Sequence, residues 1–302
     1  MNSIHSKRSL RPRKRGRPFL YFIIPAALTV GVILVFPIIY GFGLSFFNWP
    51  QVDDGTRAFI GFKNYLDLFQ DSLFWRSLML QLGFIFIAIP IQLVIGFFVA
   101  ILFNNDFPAS GLLRTLLLLP VFVLPVLSGL TWKLMLQPRY GVITYLLSQI
   151  GLEFPQGILS DKSLAYAAVI IQDIWRMWPF MFMILYAGIS GISKDLIEAA
   201  EIDGASFYQK TFKIILPLLR GTIATAILLR TIDALRIFSE VFVMTKGGPG
   251  SDGTMLFSLY IHKQAFQFGK LGYASSMAVV LIVITLLFAF GLVRKNMDID
   301  TA

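Results

Sequence analysis

Six ionisable side chains sit where the surrounding sequence is otherwise apolar. Asp173 and Arg176 lie three residues apart, and Arg230, Asp233, Arg236 and Glu240 recur every three or four residues further on. On a continuous helix the second spacing places four charges on one stripe. Such a stripe against hydrocarbon is costly, so both groups are expected to face a polar pathway or a neighbouring protein. Trp175, Trp178 and Phe180 surround the first pair, offering aromatic faces of the kind that stack on sugar rings. The same charges have a structural use. Asp173 with Arg176, and Asp233 with Arg230 or Arg236, could be neutralising pairs that fix helix packing.

A second constellation lies between two apolar runs: Glu198-Ala199-Ala200-Glu201-Ile202-Asp203-Gly204-Ala205, continuing to Phe212, Ile214, Leu216 and Pro217. Ser193 is placed to cap a short helix that runs to about Asp203. Gly204 supplies the left-handed geometry that ends it, and Ser206 can cap a second helix running into Pro217. The expectation is a helical hairpin. Small Ala199 and Ala200 let another protein approach the backbone, while Glu198 and Asp203 offer anionic anchors at its two ends.

Other chemistries find no support. The chain has no cysteine, which excludes disulfides and thiolate metal sites. His5 and His262 stand alone, with no metal-site spacing around them, and both read as solvated. No G-x4-G-K-[ST] phosphate loop occurs, so ATP hydrolysis must reside on another subunit. No cofactor or metal is implied.

The elements that must position these residues follow from composition. Hydrophobic residues make up 56% of the 302-residue chain and charged ones 14%, far from a soluble balance. Apolar runs of roughly 20 residues, long enough to cross the bilayer as helix, recur near 20–43, 79–103, 112–132, 164–190, 221–243 and 274–293. The runs are continuous rather than alternating, so the fold class is all-α: a polytopic bundle of six spans carrying the loop 191–217. The basic tail, 1–18, holds seven Lys and Arg. With it inside, the inner segments carry fourteen Lys and Arg against nine outside, and both termini read as cytoplasmic. Attraction to anionic headgroups accounts for the tail without nucleic acid. The first run is too long for a cleaved signal peptide.

The motif E-A-A-x2-D-G-A-x6-F-x-I-x-L-P resembles the coupling loop of ABC importer permeases. The resemblance extends over 19–302 as one transmembrane domain, through Ile60-Gly61-Phe62-Lys63-Asn64-Tyr65, Leu119-Pro120, Trp132, Thr245-x-Gly247-Gly248-Pro249 and Gly272-Tyr273-Ala274-Ser275. These look like the carbohydrate-uptake branch. Arg230-Thr231-Ile232-Asp233-Ala234-Leu235-Arg236-Ile237-Phe238 resembles its maltose- and trehalose-type members most. Gly221 departs from the Pro that many relatives carry there.

The resemblance implies a permease working by alternating access, with Glu198, Ala199, Ala200, Asp203, Gly204 and Ala205 coupling it to an ABC ATPase dimer that binds ATP and Mg. It also implies a second homologous permease, an extracytoplasmic solute-binding protein and a disaccharide or oligosaccharide substrate. By the same resemblance the sugar site takes Asp173, Met177 and Phe180, then Asp233, Arg236 and Ile237, and Arg176 joins the pathway set as the charge beside Asp173. Met177 and Phe180 could equally be ordinary packing. The location implied is a bacterial or archaeal cytoplasmic membrane. Glycerol-phosphate-type or other glycan substrates fit the same architecture. An ion-coupled secondary transporter would show duplicated halves with matched broken helices, and no such repeat is present.

Overall fold

The computed structural model describes residues 18–52, 55–104, 108–250 and 252–300. The basic tail before Pro18, Asp53, Asp54 and positions 105–107 lie outside them. In chain order come α1 (Pro18–Val30), α2 (Phe36–Leu44), the strands β1 (Phe47–Asn48) and β2 (Ala58–Phe59), α3 (Lys63–Gln70) and α4 (Ser72–Leu102). Then follow α5 (Ser110–Phe122), α6 (Pro125–Met135), α7 (Val142–Gln149), α8 (Lys162–Ser190) and α9 (Lys194–Ile202). Two one-turn helices, α10 (Phe207–Gln209) and α11 (Leu216–Leu218), precede α12 (Arg220–Ala234), α13 (Ser239–Met244), α14 (Phe257–His262) and α15 (Leu271–Asp300).

Four stretches are long and apolar enough to cross a membrane: Ile23–Leu44, α4, α8 and Leu271–Gly291. Two bent pairs, α5 with α6 at 90° and the 207–218 segment with α12 at 66°, bring the number to as many as six where each pair counts as one span. Their helical class is what the sequence pattern implies, but the pattern missed the breaks within them. The second span begins at Ser72 rather than 79, because Asp71 caps it by accepting from Leu73 N and Phe74 N. The third run turns a corner where Leu124 precedes Pro125, since a residue before proline is pushed out of helical geometry. The first span, expected to kink at Pro25 and Pro37, continues from α1 to α2 through a π-helical stretch, Gly31–Val35. It is unburied by the rest of the chain, as an apolar helix meeting lipid or another subunit would be.

α4 and α8 form the axis. They touch at Gly96, where a Cβ would stand 2.7 Å from Phe182 N and 2.8 Å from Met181 Cβ; only glycine permits that approach. One apolar cluster, including Phe84, Ala168, Met244, Phe257 and Met277, packs α4 and α8 against α13, α14 and α15. A second, including Phe97, Phe182, Leu185, Ile215 and Leu219, closes the end nearer α9. At the opposite end, Asp252 accepts from Arg76 at 2.7 Å and Lys162 at 2.8 Å, tying the loop after α13 to the starts of α4 and α8. The hydrogen bond from the Lys162 ammonium, with Arg76 adding to it, holds the Asp252 carboxyl below its ordinary range.

Candidate functional site

The fifth apolar run is not one helix. α12 stops at Ala234 after 15 residues, about 22 Å of rise and short of the hydrocarbon thickness. The chain resumes as helix only at Ser239. A helix end inside a membrane protein leaves carbonyls without intrahelical partners, and they must be satisfied by protein or water. Here side chains from two other helices supply the donors. Gln81 Nε2 of α4 donates to Ala234 O at 2.9 Å, and Ser258 Oγ of α14 donates to Ile237 O at 2.9 Å and Leu235 O at 3.3 Å. The break is therefore a built feature of the bundle.

The break redistributes the expected charge stripe. Because the helix ends between Asp233 and Glu240, the four ionisable groups do not share one face. Arg230, 1% exposed, donates to Asp173 and to Gln92 Oε1 at 3.0 Å, and reaches Asp233 Oδ2 at 2.9 Å. Gln92 Nε2 returns to Asp173 Oδ2 at 2.8 Å and Asp173 O at 3.1 Å. Asp173 is fully buried, and its partner is Arg230 on another helix rather than Arg176 one turn away, which stands 4.0 Å off. Arg176 instead pairs with Glu240 at 2.8 Å. α13 comes close to α6 at Gly129, where a Cβ would lie 3.0 Å from the Glu240 backbone.

Of the residues nominated for a substrate pathway, Arg176, Asp233, Arg236 and Ile237 line one cavity of about 170 Å³, together with Phe238 and Glu240. Pro125, at the α5–α6 corner, completes its wall. Asp233 keeps 53% of its side chain exposed. Arg236 donates to Ile232 O at 3.3 Å and forms no ion pair among the described residues. Asp173 lies behind Arg230, Met177 is buried, and Phe180 is half-buried and outside the cavity lining. Sequence spacing did not reveal Pro125, Gln81 or Gln92, whose roles depend on contacts from distant parts of the chain. His262, read as solvated, is instead half-buried against the rings of Phe238, Phe242 and Phe266 at 4.9–5.4 Å.

The hairpin forms as its residues dictate. Ala205 N donates to Ala200 O and Gly204 N to Glu201 O, with Gly204 at φ +76°: a Schellman closure of α9. Ser206 and Gln209 form a reciprocal capping box on α10, and Lys210 pairs with Glu201. Ser193, by contrast, makes no side-chain cap bond to α9. Glu198, Ala199, Asp203 and Gly204 are exposed, while Ala200 and Ala205 are half-buried. Ile202, Phe207 and Tyr208 present large apolar surface outward. A cavity of about 400 Å³, lined among others by Asn104, Tyr186, Ile197, Glu198 and Glu201, lies under the hairpin.

A multi-span bundle with a broken, charge-lined helix and a closed hairpin on one end is the architecture of a membrane permease. Residues 72–298 match the binding-protein-dependent transport system inner membrane component, and the chain belongs to that family. It is 34% identical over 287 residues to the trehalose/maltose transport system permease protein MalF of Thermococcus litoralis, covering 95% of each chain. It is 35% identical over 267 residues to the sulfoquinovosyl glycerol transport system permease protein SmoG of Agrobacterium fabrum, covering 87% of this chain and 85% of that one. The fold matches a solved bacterial ABC transporter involved in importing the acidic polysaccharide alginate, with a TM-score of 0.80 at 23% identity over 93% of this chain and 95% of that one. The protein is thus a multi-pass inner-membrane permease of a binding-protein-dependent ABC importer, a transport component rather than an enzyme.

Proposed function

We propose that this permease passes a neutral disaccharide or oligosaccharide of the trehalose or maltose kind into the cytoplasm, past the break between α12 and α13. It does so beside a second homologous permease, with both termini and the α9–α10 hairpin on the cytoplasmic side. The observation that carries the reading is the break itself. Non-helical backbone at membrane depth is tolerated where it is buried in protein or lines a polar cavity, and here it presents Asp233 and Arg236 to one. Asp233 accepts hydroxyl hydrogens, Arg236 donates, and Phe238 offers a ring face. Asp173 and Arg230 act through position, holding Asp233 and the end of α12 in place. The trehalose/maltose permease among the full-length relatives supports the substrate class.

In this reading Glu198, Ala199, Ala200, Asp203, Gly204 and Ala205 seat in a cleft of an ABC ATPase dimer. Closure of that dimer on ATP and Mg then moves the hairpin and rocks the spans. An anionic glycan is the second reading, favoured by the Arg236 guanidinium, which has no carboxylate of its own among the described residues. The test is ATPase activity of the reconstituted complex, with its binding protein, across neutral and acidic sugars. Stimulation by trehalose or maltose is expected. Stimulation by acidic or phosphorylated sugars alone would select the second reading, and none by any sugar would overturn both.

A further inference from the structure

At the end of α4 opposite the hairpin lies a larger cavity, of about 660 Å³, that shares no lining residue with the cavity at the α12–α13 break. α4 is 31 residues long, so about 46 Å of helix separates the two ends. Four segments build the cavity: the chain around β1, α3, the π-helical stretch Lys263–Gln267 and the start of α15.

The walls are held by backbone and buried polar bonds. Gln51 N donates to Gly269 O at 2.7 Å and Gly272 N to Trp49 O at 3.2 Å. A Cβ at Gly272 would fall 2.0 Å from Phe47 O, so only glycine lets the two segments meet. Asn64 Nδ2 donates to Ser45 O at 2.8 Å and Phe47 O at 3.0 Å. Asp71 Oδ2 accepts from Tyr260 at 2.5 Å and from Tyr273 at 2.7 Å, while its Oδ1 holds the start of α4. Asp71 is therefore occupied in fastening the walls.

Gln264 is different. It is 7% exposed, lines the cavity, and is fixed by its Nε2, which donates to Tyr260 Oη at 2.7 Å. Its Oε1 is buried with no hydrogen-bond partner among the described residues. A buried amide oxygen without a donor is costly, and a small rotation of the Gln264 side chain toward the cavity would let a ligand hydroxyl supply one. Around it stand Trp49, Phe268 and the carboxylate of Asp67. Lys63 and Lys270 balance Asp67 and Asp71, so the lining carries no net charge. Aromatic rings, with one face of Trp49 covered by the Arg57 guanidinium at 4.5 Å, an amide acceptor in the wall, mixed donors and a neutral lining suit a polyhydroxylated neutral molecule better than an anion. The volume lies within the range of small-ligand pockets.

We propose that this cavity is a second saccharide-binding site, selective for neutral sugars, on the end of the permease away from the hairpin. The site rests on the reading of the chain as a sugar importer and adds a receiving position ahead of the pathway. The two sites flank one element: His262 packs on Phe238 of the pathway wall, and Gln264, two residues on, lines the cavity.

The test is saturation-transfer NMR on the permease assembled with its partner subunits in lipid nanodiscs, without binding protein, using trehalose and glucuronate as probes. Transfer to trehalose is expected. Its apparent affinity should fall about five-fold in Gln264→Leu, the scale of one lost hydrogen bond. It should fall likewise in Trp49→Ala, which removes a wall without touching the buried amide, and persist in Asp233→Asn. Trehalose binding unchanged in both cavity variants would overturn the site, and its loss in Asp233→Asn would then leave the importer reading intact. Preference for glucuronate, or no transfer to trehalose from an assembled complex, would also overturn it.

Discussion

The charge network around Arg230 and the hairpin around Gly204 solve opposite problems with the same residue types. In the network, Asp173 and Arg230 are withdrawn from solvent and hold one another across helices, with Gln92 bridging them. In the hairpin, Glu198 and Asp203 stand exposed, and the bonds that shape the turn are local backbone closures and one capping box. A buried ion pair carries a large desolvation cost and is worth most as a positioning device. An exposed carboxylate on a rigid turn costs little to keep and is available to a partner. The contrast separates a buried clamp that fixes helix positions from an exposed turn whose Glu198 and Asp203 remain free of ion pairs to other helices among the described residues.

Substitutions should sort along the same line. The largest loss of stability is expected from Arg230→Ala, which strands Asp173 without its charge partner. A penalty of about 3–5 kcal/mol is the scale for breaking a buried pair, read as a fall in the melting temperature of the purified permease. Combining it with Asp173→Leu should recover much of that loss. If the single variant melts like the parent, the network is not a structural clamp. Glu198→Lys should abolish coupled uptake while leaving the melting temperature nearly unchanged, because surface substitutions usually stay within about 0.5 kcal/mol.

Asp233→Asn sharpens the comparison, since this residue touches both the clamp and the cavity. Arg230 keeps Asp173, so stability should drop by less than about 1 kcal/mol. Sugar uptake measured with radiolabelled trehalose should fall roughly ten-fold, equivalent to about 1.4 kcal/mol. Gly204→Ala meets open space but a φ of +76°, and should cost roughly 1 kcal/mol of backbone strain. Faster amide exchange in α9 would report it.

The smallest effect concerns Asp252. Its carboxyl is held below the ordinary range in the folded protein, so its contribution is present above the unfolded value, near 4. That contribution is lost as pH falls through the lower folded value. Both cations are half-exposed, so acidification should loosen only the loop after α13, visible as local proteolysis below about pH 4.

The hairpin was legible in the sequence because its geometry is written in neighbours: Gly204 and Ala205 close on Glu201 and Ala200, and Ser206 meets Gln209. The helical class of the membrane-spanning segments was legible for the same reason, being a property of continuous apolar runs. What was not legible depends on distance along the chain. Gln92 meets Arg230 across 138 positions and Gln81 meets Ala234 O across 153. No spacing rule foretells that Arg230, while keeping Asp233, would also reach across to Asp173. Period arithmetic also assumes a continuous helix, and the stop at Ala234 removed that assumption where the charges lie. Pro125 drew no attention in the sequence, and its place in the cavity wall depends on the corner it makes with α5.

The most direct test of the central claim is a side-by-side assay of the reconstituted complex carrying Glu198→Lys or Asp233→Asn. It reads two quantities: ATPase subunit retained through purification and ATP hydrolysis stimulated by sugar-loaded binding protein. Glu198→Lys should lose the ATPase subunit, whereas Asp233→Asn should retain it and lose stimulated hydrolysis. Retention of both quantities by Glu198→Lys, or loss of the ATPase subunit by Asp233→Asn, would contradict the division of labour between hairpin and broken helix.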